Sequence, residues 1–214
     1  NERMWFGLTT GTYKKNKSGG DVMKRVGTFT DEVNSEVDGR FIATFGLRNA
    51  DGSTNGKQNT QSFGLVNALS LYRIIEYDHS DGLYNDCSFR LAEFKNGECK
   101  NWGNPLAEAY LTALRWFANQ PPSGDFRAND STLIEGLNQP QSYQPPSISA
   151  NNECASLNTV VFNASTISYD GDELDDNSDG LRSVNADKSS VELTNLIGAN
   201  EGIHGKSFFV GENG

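Results

Sequence analysis

The chain has 214 residues with 18 basic and 28 acidic side chains, and the resulting net charge of −10 argues against a nucleic acid partner, because phosphate binding is driven by an excess of Lys and Arg. Its length suits one domain, and 36% hydrophobic residues with 22 glycines describe long polar loops around a modest core. No stretch nears the roughly 20 apolar residues of a membrane-crossing helix, so no membrane span is expected.

The chain opens at Asn1-Glu2-Arg3-Met4 without a basic-then-apolar leader and stops as Phe208-Phe209-Val210-Gly211 enters a turn; both ends are expected to be cuts inside a longer protein. Residues 3–13 carry Trp5, Phe6 and Leu8 among threonines and break at Lys14-Lys15-Asn16-Lys17-Ser18-Gly19-Gly20, which predicts a strand and then a basic, glycine-rich turn. Residues 40–45 alternate, with Phe41, Ala43 and Phe45 on one face, and predict a second strand. Residues 49–61 are Asn, Gly, Ser and Thr with hardly an apolar side chain and read as an exposed loop. From Ser62 onward Leu65, Leu69 and Tyr72 recur near helical spacing, predicting two or three turns of helix that end before Asp78-His79-Ser80-Asp81-Gly82.

Cys87 and Cys99 flank a short segment that a disulfide could close, leaving Cys154 unpaired or joined to a partner outside this sequence. The other reading is three reduced cysteines in a cytosolic protein. No Cys-x-x-Cys pair exists and only His79 and His204 could assist, too few ligands for zinc.

A helix is predicted to begin at Pro105, with Asn104 as its cap and Leu106, Ala109, Tyr110, Ala113, Leu114 and Phe117 as one apolar stripe. It ends by Asn119-Gln120-Pro121-Pro122. The remaining prolines follow it, so residues 120–152 are predicted to be an extended loop or insertion, with one short helical turn at 133–137. Thr159-Val160-Val161-Phe162 is β-branched and apolar, as a strand buried on both faces would be. Residues 170–188 are acidic and polar and read as loop. Trp102, Trp116 and Phe117 are expected to pack in the core or on the disulfide.

Hydrolytic chemistry finds little footing. There is no Gly-x-Ser-x-Gly elbow, the two histidines lie in polar turns, and the glycines do not space as a phosphate cradle. Acids such as Glu93, Glu98 or Asp125 leave a glycan hydrolase as the catalytic alternative. The pattern with most chemical content is Asp175-Asp176-Asn177-Ser178-Asp179-Gly180, where Asp175, Asn177 and Asp179 occupy the first, third and fifth positions of a calcium loop. Its twelfth position is Ala186 instead of Glu, so the loop is incomplete and Ca²⁺ is the one candidate cofactor.

Four stretches together resemble one family. They are Met4-Trp5-Phe6-Gly7-Leu8-Thr9-Thr10-Gly11 with Ser18-Gly19-Gly20; Gly27-Thr28-Phe29-Thr30-Asp31; Cys99-Lys100-Asn101-Trp102-Gly103-Asn104-Pro105-Leu106-Ala107-Glu108 continuing to Leu114-Arg115-Trp116-Phe117; and Tyr169-Asp170-Gly171-Asp172 with Phe208-Phe209-Val210-Gly211. In this order they resemble the N-terminal region of the PilC/PilY family, large type IV pilus tip-associated biogenesis and adhesion proteins. The resemblance implies a secreted, non-enzymatic module at the outer membrane or pilus tip, with minor pilins and a host or surface receptor as partners. It also implies a C-terminal, calcium-binding β-propeller outside this sequence.

The fold implied is α/β: an incomplete von Willebrand factor A-like, Rossmann-like three-layer sandwich with long loop insertions. Residues 1–119 would form its first part, 120–153 a Pro-rich insertion, and 154–214 the central strand, acidic loop and C-terminal segment. Folds of this kind carry a divalent metal at the strand ends. Here Asn104 stands where the metal loop would use Thr, Ala164 stands where an Asp is expected, and the Asp-x-Ser-x-Ser motif falls before Asn1 or is lost. The resemblance therefore implies display through loops, with a secreted glycan hydrolase and a calcium-stabilised spacer as the rival readings.

Overall fold

A computed structural model describes residues 4–28, 65–87, 93–134, 137, 154–175 and 180–207. The predicted strand at 40–45, the loop at 49–61, and Asn177 and Asp179 lie outside them. The described part is mixed α/β, with two small sheets and few helices.

Strands β1 (Trp5–Gly11) and β2 (Gly20–Thr28) form an antiparallel hairpin, with Trp5 opposite Thr28 and Gly11 opposite Gly20. β1 is the predicted strand. β2 is not among the predicted elements, because Lys24 and Arg25 interrupt the apolar alternation of Val22 and Val26. It is nevertheless the most buried element: Asp21, Val22, Met23 and Lys24 are all inaccessible.

Successive strand residues point to opposite faces, so the hairpin has two apolar sides. On one side Leu8 and Met23 pack with Ala68 and Leu71 of helix α1 (Leu65–Leu71) and with Tyr13, Ile134 and Leu137. On the other, Gly7 lies beneath the Trp116 ring of helix α2 (Leu106–Phe117); a methyl at Gly7 would come within 2.6 Å of that ring and 3.0 Å of Val26. The hairpin is thus held between two helices. A second, minimal hairpin joins β3 (Tyr77–Asp78) to β4 (Leu83–Tyr84) through the predicted turn at residues 78–82.

α2 begins within a residue of its predicted start, but its cap and its buried face differ from expectation. The cap position is Pro105, which makes no side-chain hydrogen bond. Asn104 instead turns its amide Nδ2 toward Asn163 Oδ1, Ser165 O and Thr166 O at 2.8 to 3.3 Å. Asp170 Oδ1 caps the helix in its place, accepting from Ala107 N at 2.5 Å. The buried face is Glu108, Leu111, Thr112, Arg115 and Trp116, with Ala113, whereas Tyr110 of the predicted stripe is exposed.

Residues 120–134 contain neither helix nor strand, as their prolines predict, yet their described part is no exposed insertion. Ser123, Phe126, Asp130, Ile134 and Leu137 are buried. Irregular backbone can sit inside because its polar groups find partners. Asp130 accepts from Tyr13 N at 2.8 Å and Lys14 N at 3.2 Å, and its own carbonyl receives Leu133 N and Ile134 N in the turn near the predicted one.

The largest departure concerns residues 159–162. They form no strand and are exposed, Val160 at 92% and Phe162 at 91%. Their composition suits a strand, but a strand needs a neighbour to take its backbone hydrogen bonds, and among the described residues none lies beside them. Beyond them, the described residues 170–175 and 180–188 are turns and bends with a short 3₁₀ helix at Leu181–Val184, followed by helix α3 (Ser190–Asn200), an element absent from the sequence-based expectations. Ser189 and Glu192 form a full capping box at its start, and no residue of α3 is buried. No described helix is long and apolar enough to cross a membrane.

Candidate functional site

The predicted disulfide joins Cys87 to Cys99, and Cys154 is exposed and free. The bridge ends the β4 segment: Cys87 N donates to Tyr84 O, Cys99 N to Asp86 O, and Lys100 N to Asp86 Oδ2 at 2.9 Å. Closing a loop of 12 residues removes conformational entropy from the unfolded chain. Replacing both cysteines by serine is expected to cost about 3 kcal/mol, read as a fall in urea midpoint that reductant reproduces in the parent. Trp102, expected to pack in the core or on the disulfide, is not in the core: it is 44% exposed, beside the cystine, with its N donating to Cys99 O and its ring edge-on to Tyr84 at 6.1 Å.

The hairpin turn locks onto this cystine loop through Asn16. Its Nδ2 donates to Glu98 O and Cys99 O, both at 3.1 Å, and to Trp102 O at 2.7 Å, while its Oδ1 accepts from Gly97 N at 2.9 Å. Lys17 N adds a bond to Asn96 Oδ1 at 2.9 Å. The basic turn of the sequence reading is thus a structural junction, with Lys17 paired to Glu93 at 2.6 Å.

Above this junction opens a groove of about 670 Å³. One wall is the continuous run Leu8–Tyr13, from the end of β1 into the turn after it; the facing wall is Thr159, Val160, Val161 and Phe162. Leu106, Ala109, Tyr110 and Ala113 of α2 line it on one side, and Leu69, Tyr72 and Ile74 at the end of α1 line it on the other. The predicted apolar stripe of α2 therefore faces the groove. Arg73 and Lys100 are its charged residues; no carboxylate, histidine or cysteine lines it among the described residues. Of the three acids considered for hydrolysis, Glu93 is paired with Lys17, Glu98 Oε2 accepts from Lys95 N at 3.0 Å and Asp125 is exposed; none lines the groove.

Beside α2 lies a second polar feature. Glu108 is fully buried; its Oε1 accepts from Gly171 N at 2.7 Å and Glu173 N at 3.4 Å, and its Oε2 has no partner. Burial pushes its carboxyl up to about 7, against those two backbone bonds and with help from the Asp170 charge. Asp21, also buried, is raised to about 6 by the same cause, although Arg127 at 3.3 Å opposes it.

Of the sequence-predicted calcium residues, Asn177 and Asp179 lie outside the described residues. Asp175 is described, and its carboxylate is engaged at the start of α3, where it accepts from Ser190 Oγ at 2.6 Å and Ser190 N at 3.2 Å. Asn104, at the position of the metal-loop Thr, presents N–H groups to neighbouring oxygens, the wrong polarity for a cation. No group of three or more His, Cys, Asp or Glu poised for a metal occurs among the described residues.

The family model described as PilY1 homolog, second domain, matches residues 6–214. The chain belongs to this family. A type IV pilus biogenesis factor PilY1 homolog of Xylella fastidiosa (strain Temecula1 / ATCC 700964) is 29% identical over 228 aligned residues, which cover 100% of this chain and 15% of that protein. This PilY1-family domain therefore spans about 15% of the length of that relative. No solved structure matches it. The groove, the cystine junction and the buried Glu108 are the features that sequence reading of the PilY1-family domain missed. The stripe at Leu106, Ala109, Tyr110 and Ala113 was a legible signal for the first, since it marks an apolar helix face without saying what covers it.

Proposed function

We propose that this domain is a non-enzymatic assembly module of a type IV pilus biogenesis factor, acting at the cell surface through apolar contacts made along the groove. The observation that carries the reading is the groove's lining: apolar residues from two helices, the end of β1 and an exposed apolar segment at residues 159–162. The family match and the printed name of the Xylella relative support the biogenesis role. An A-like layered architecture belongs to the same proposal and rests on the family resemblance; the described sheets are two antiparallel hairpins, and residues 159–162 are not its central strand. Adhesion to a host or surface receptor belongs to the same proposal and rests on the family resemblance.

The test is made in the full-length protein. Phe162→Glu changes a side chain that is 91% exposed, so folding and export should be unaffected while surface piliation falls several-fold. Unchanged pilus number, with the variant present at normal level on the surface, would count against the groove as the working face. Deletion of residues 120–152 should instead unfold the domain, because it removes Phe126, Ile134 and Leu137 from the buried interior.

A further inference from the structure

We infer that Asn96-Gly97 is a covalent modification site: the hairpin turn holds its deamidation in check, and the modified form no longer fastens the cystine loop to that turn. The inference concerns the junction and is independent of the groove.

The sequence holds three Asn-Gly pairs, at residues 55–56, 96–97 and 213–214, and the middle one lies among the described residues. Glycine has no Cβ to shield its amide nitrogen, so in such a pair that nitrogen readily reaches the asparagine side chain. The reaction needs only water. The Gly97 nitrogen, having lost its proton, bonds to Asn96 Cγ; the Cγ–Nδ2 bond breaks, and the amide leaves as ammonia with a proton. A five-membered succinimide remains. Water then opens one of its two carbonyls, giving aspartate or isoaspartate at position 96.

The turn occupies each of the reacting groups. Gly97 N donates to Asn16 Oδ1 at 2.9 Å, which keeps the nucleophile protonated and directed at Asn16. Asn96 Oδ1 accepts from Lys17 N at 2.9 Å and Nδ2 donates to Ser18 Oγ, so the amide to be attacked is held at both ends. Ser18 is buried and Asn96 half-buried. The pair also sits in a turn closed by Glu98 N donating to Lys95 O at 2.9 Å, with Gly97 at φ +81°. Cyclisation therefore requires the junction to open, and its rate is the intrinsic rate scaled by the open fraction.

The product does not fit the closed junction. Ser18 has one hydroxyl proton and gives it to Glu173 Oε1 at 2.8 Å. A carboxylate at position 96 puts an acceptor oxygen where Nδ2 donated, with no proton between it and Ser18 Oγ. Its charge adds to that of Glu173 on the same hydroxyl. Isoaspartate also inserts a methylene into the main chain between Lys95 and Glu98 and disturbs the turn they close. Water does not restore the amide, so the loosening persists.

The experiment compares the full-length protein with a synthetic peptide of residues 93–100 in mildly alkaline buffer. Peptide mapping follows the mass gained at position 96 as the amide becomes an acid, and separates isoaspartate from aspartate. The folded protein is expected to convert at least about 30-fold more slowly than the peptide, as a site that reacts only through a rare local opening must. Ser18→Ala, which releases Nδ2, and Asn16→Ala, which releases Gly97 N, should each raise the rate several-fold. Asn96→Asp installs the modified state directly and should speed hydrogen exchange at residues 95–98 of the full-length protein. Equal rates in protein and peptide, a peptide that does not convert, folded Ser18→Ala and Asn16→Ala variants with the parent's rate, or an Asn96→Asp variant with the parent's exchange would each overturn the inference. Where Ser18→Ala or Asn16→Ala does not fold, the protein-to-peptide ratio and Asn96→Asp decide it.

Discussion

Asn16→Ala is expected to lower stability by about 3–5 kcal/mol, a loss out of proportion to a polar turn residue. The side chain is buried, and its amide satisfies three carbonyl oxygens, of Glu98, Cys99 and Trp102, while its carbonyl satisfies Gly97 N. Alanine leaves these groups without their partner in a space that the cystine loop closes, at about 1–3 kcal/mol for each buried group that water does not reach. Asn16→Asp tests the polarity of the site. It keeps the acceptor for Gly97 N but replaces two N–H groups by a carboxylate oxygen facing carbonyls, so at neutral pH it should be at least as damaging as alanine. Gly103→Ala reaches the same junction from the other side. Gly103 has φ +98°, and a methyl there would sit 2.3 Å from the Asn16 carbonyl oxygen, so backbone must move. Because both changes break one contact surface, the double variant should cost less than their sum. Urea denaturation with the Cys87–Cys99 bridge intact measures all of these. A loss under about 1 kcal/mol for Asn16→Ala would show that the turn does not hold the cystine loop to the hairpin.

What was legible in the sequence follows from which interactions are local. β1, α1, α2 and the Cys87–Cys99 bridge were readable because alternation, helical spacing and a short cysteine interval are properties of neighbouring residues. β2 was not, because its polar residues are reconciled with burial by distant groups, Asp21 by Arg127 for example. Residues 120–134 read as an outlying loop for the same reason: Asp130 earns its interior place from backbone N–H groups more than a hundred positions earlier. α3 is a different case. Ser189 and Glu192 spell a capping box in plain sequence, a local signal that was legible but not read. The apolar stripe of α2 and the run at residues 159–162 were both recognised as hydrophobic surface in need of cover. Composition shows that such surface exists; only the arrangement shows that the two line one groove. The family was legible from ordered motifs, while the groove, a product of tertiary arrangement, was not.

Stability should fall as the pH rises from about 4.5 to about 7, the reverse of ordinary acid denaturation, and Glu108→Gln should remove most of that fall. The folded-state carboxyl of Glu108 titrates at about 7, against 4.5 ordinarily. Between those values the folded protein holds a proton that the unfolded chain has already released. A group raised in this way favours folding below its unfolded value, and that advantage is lost progressively as the pH climbs to the folded value. The gap corresponds to at most about 3 kcal/mol. Asp21 acts in the same direction over a lower window, from 3.8 to about 6. Glu93 and Glu192 work oppositely: Lys17 and the start of α3 hold their carboxyls below the usual range, so their contribution fades only in more acidic solution. The two sets together place the optimum on the acid side of neutrality. Glutamine keeps an oxygen for Gly171 N and Glu173 N and puts no charge where Oε2 lies without a partner. The variant should therefore exceed the parent by about 1–3 kcal/mol at pH 8 and match or trail it at pH 4.5, so that their stability curves cross. Urea midpoints at half-unit steps from pH 4 to 8 measure this directly. Parallel curves would mean that Glu108 reaches solvent or a cation and carries its charge at no cost, and the burial that α2 imposes on it would have to be redrawn.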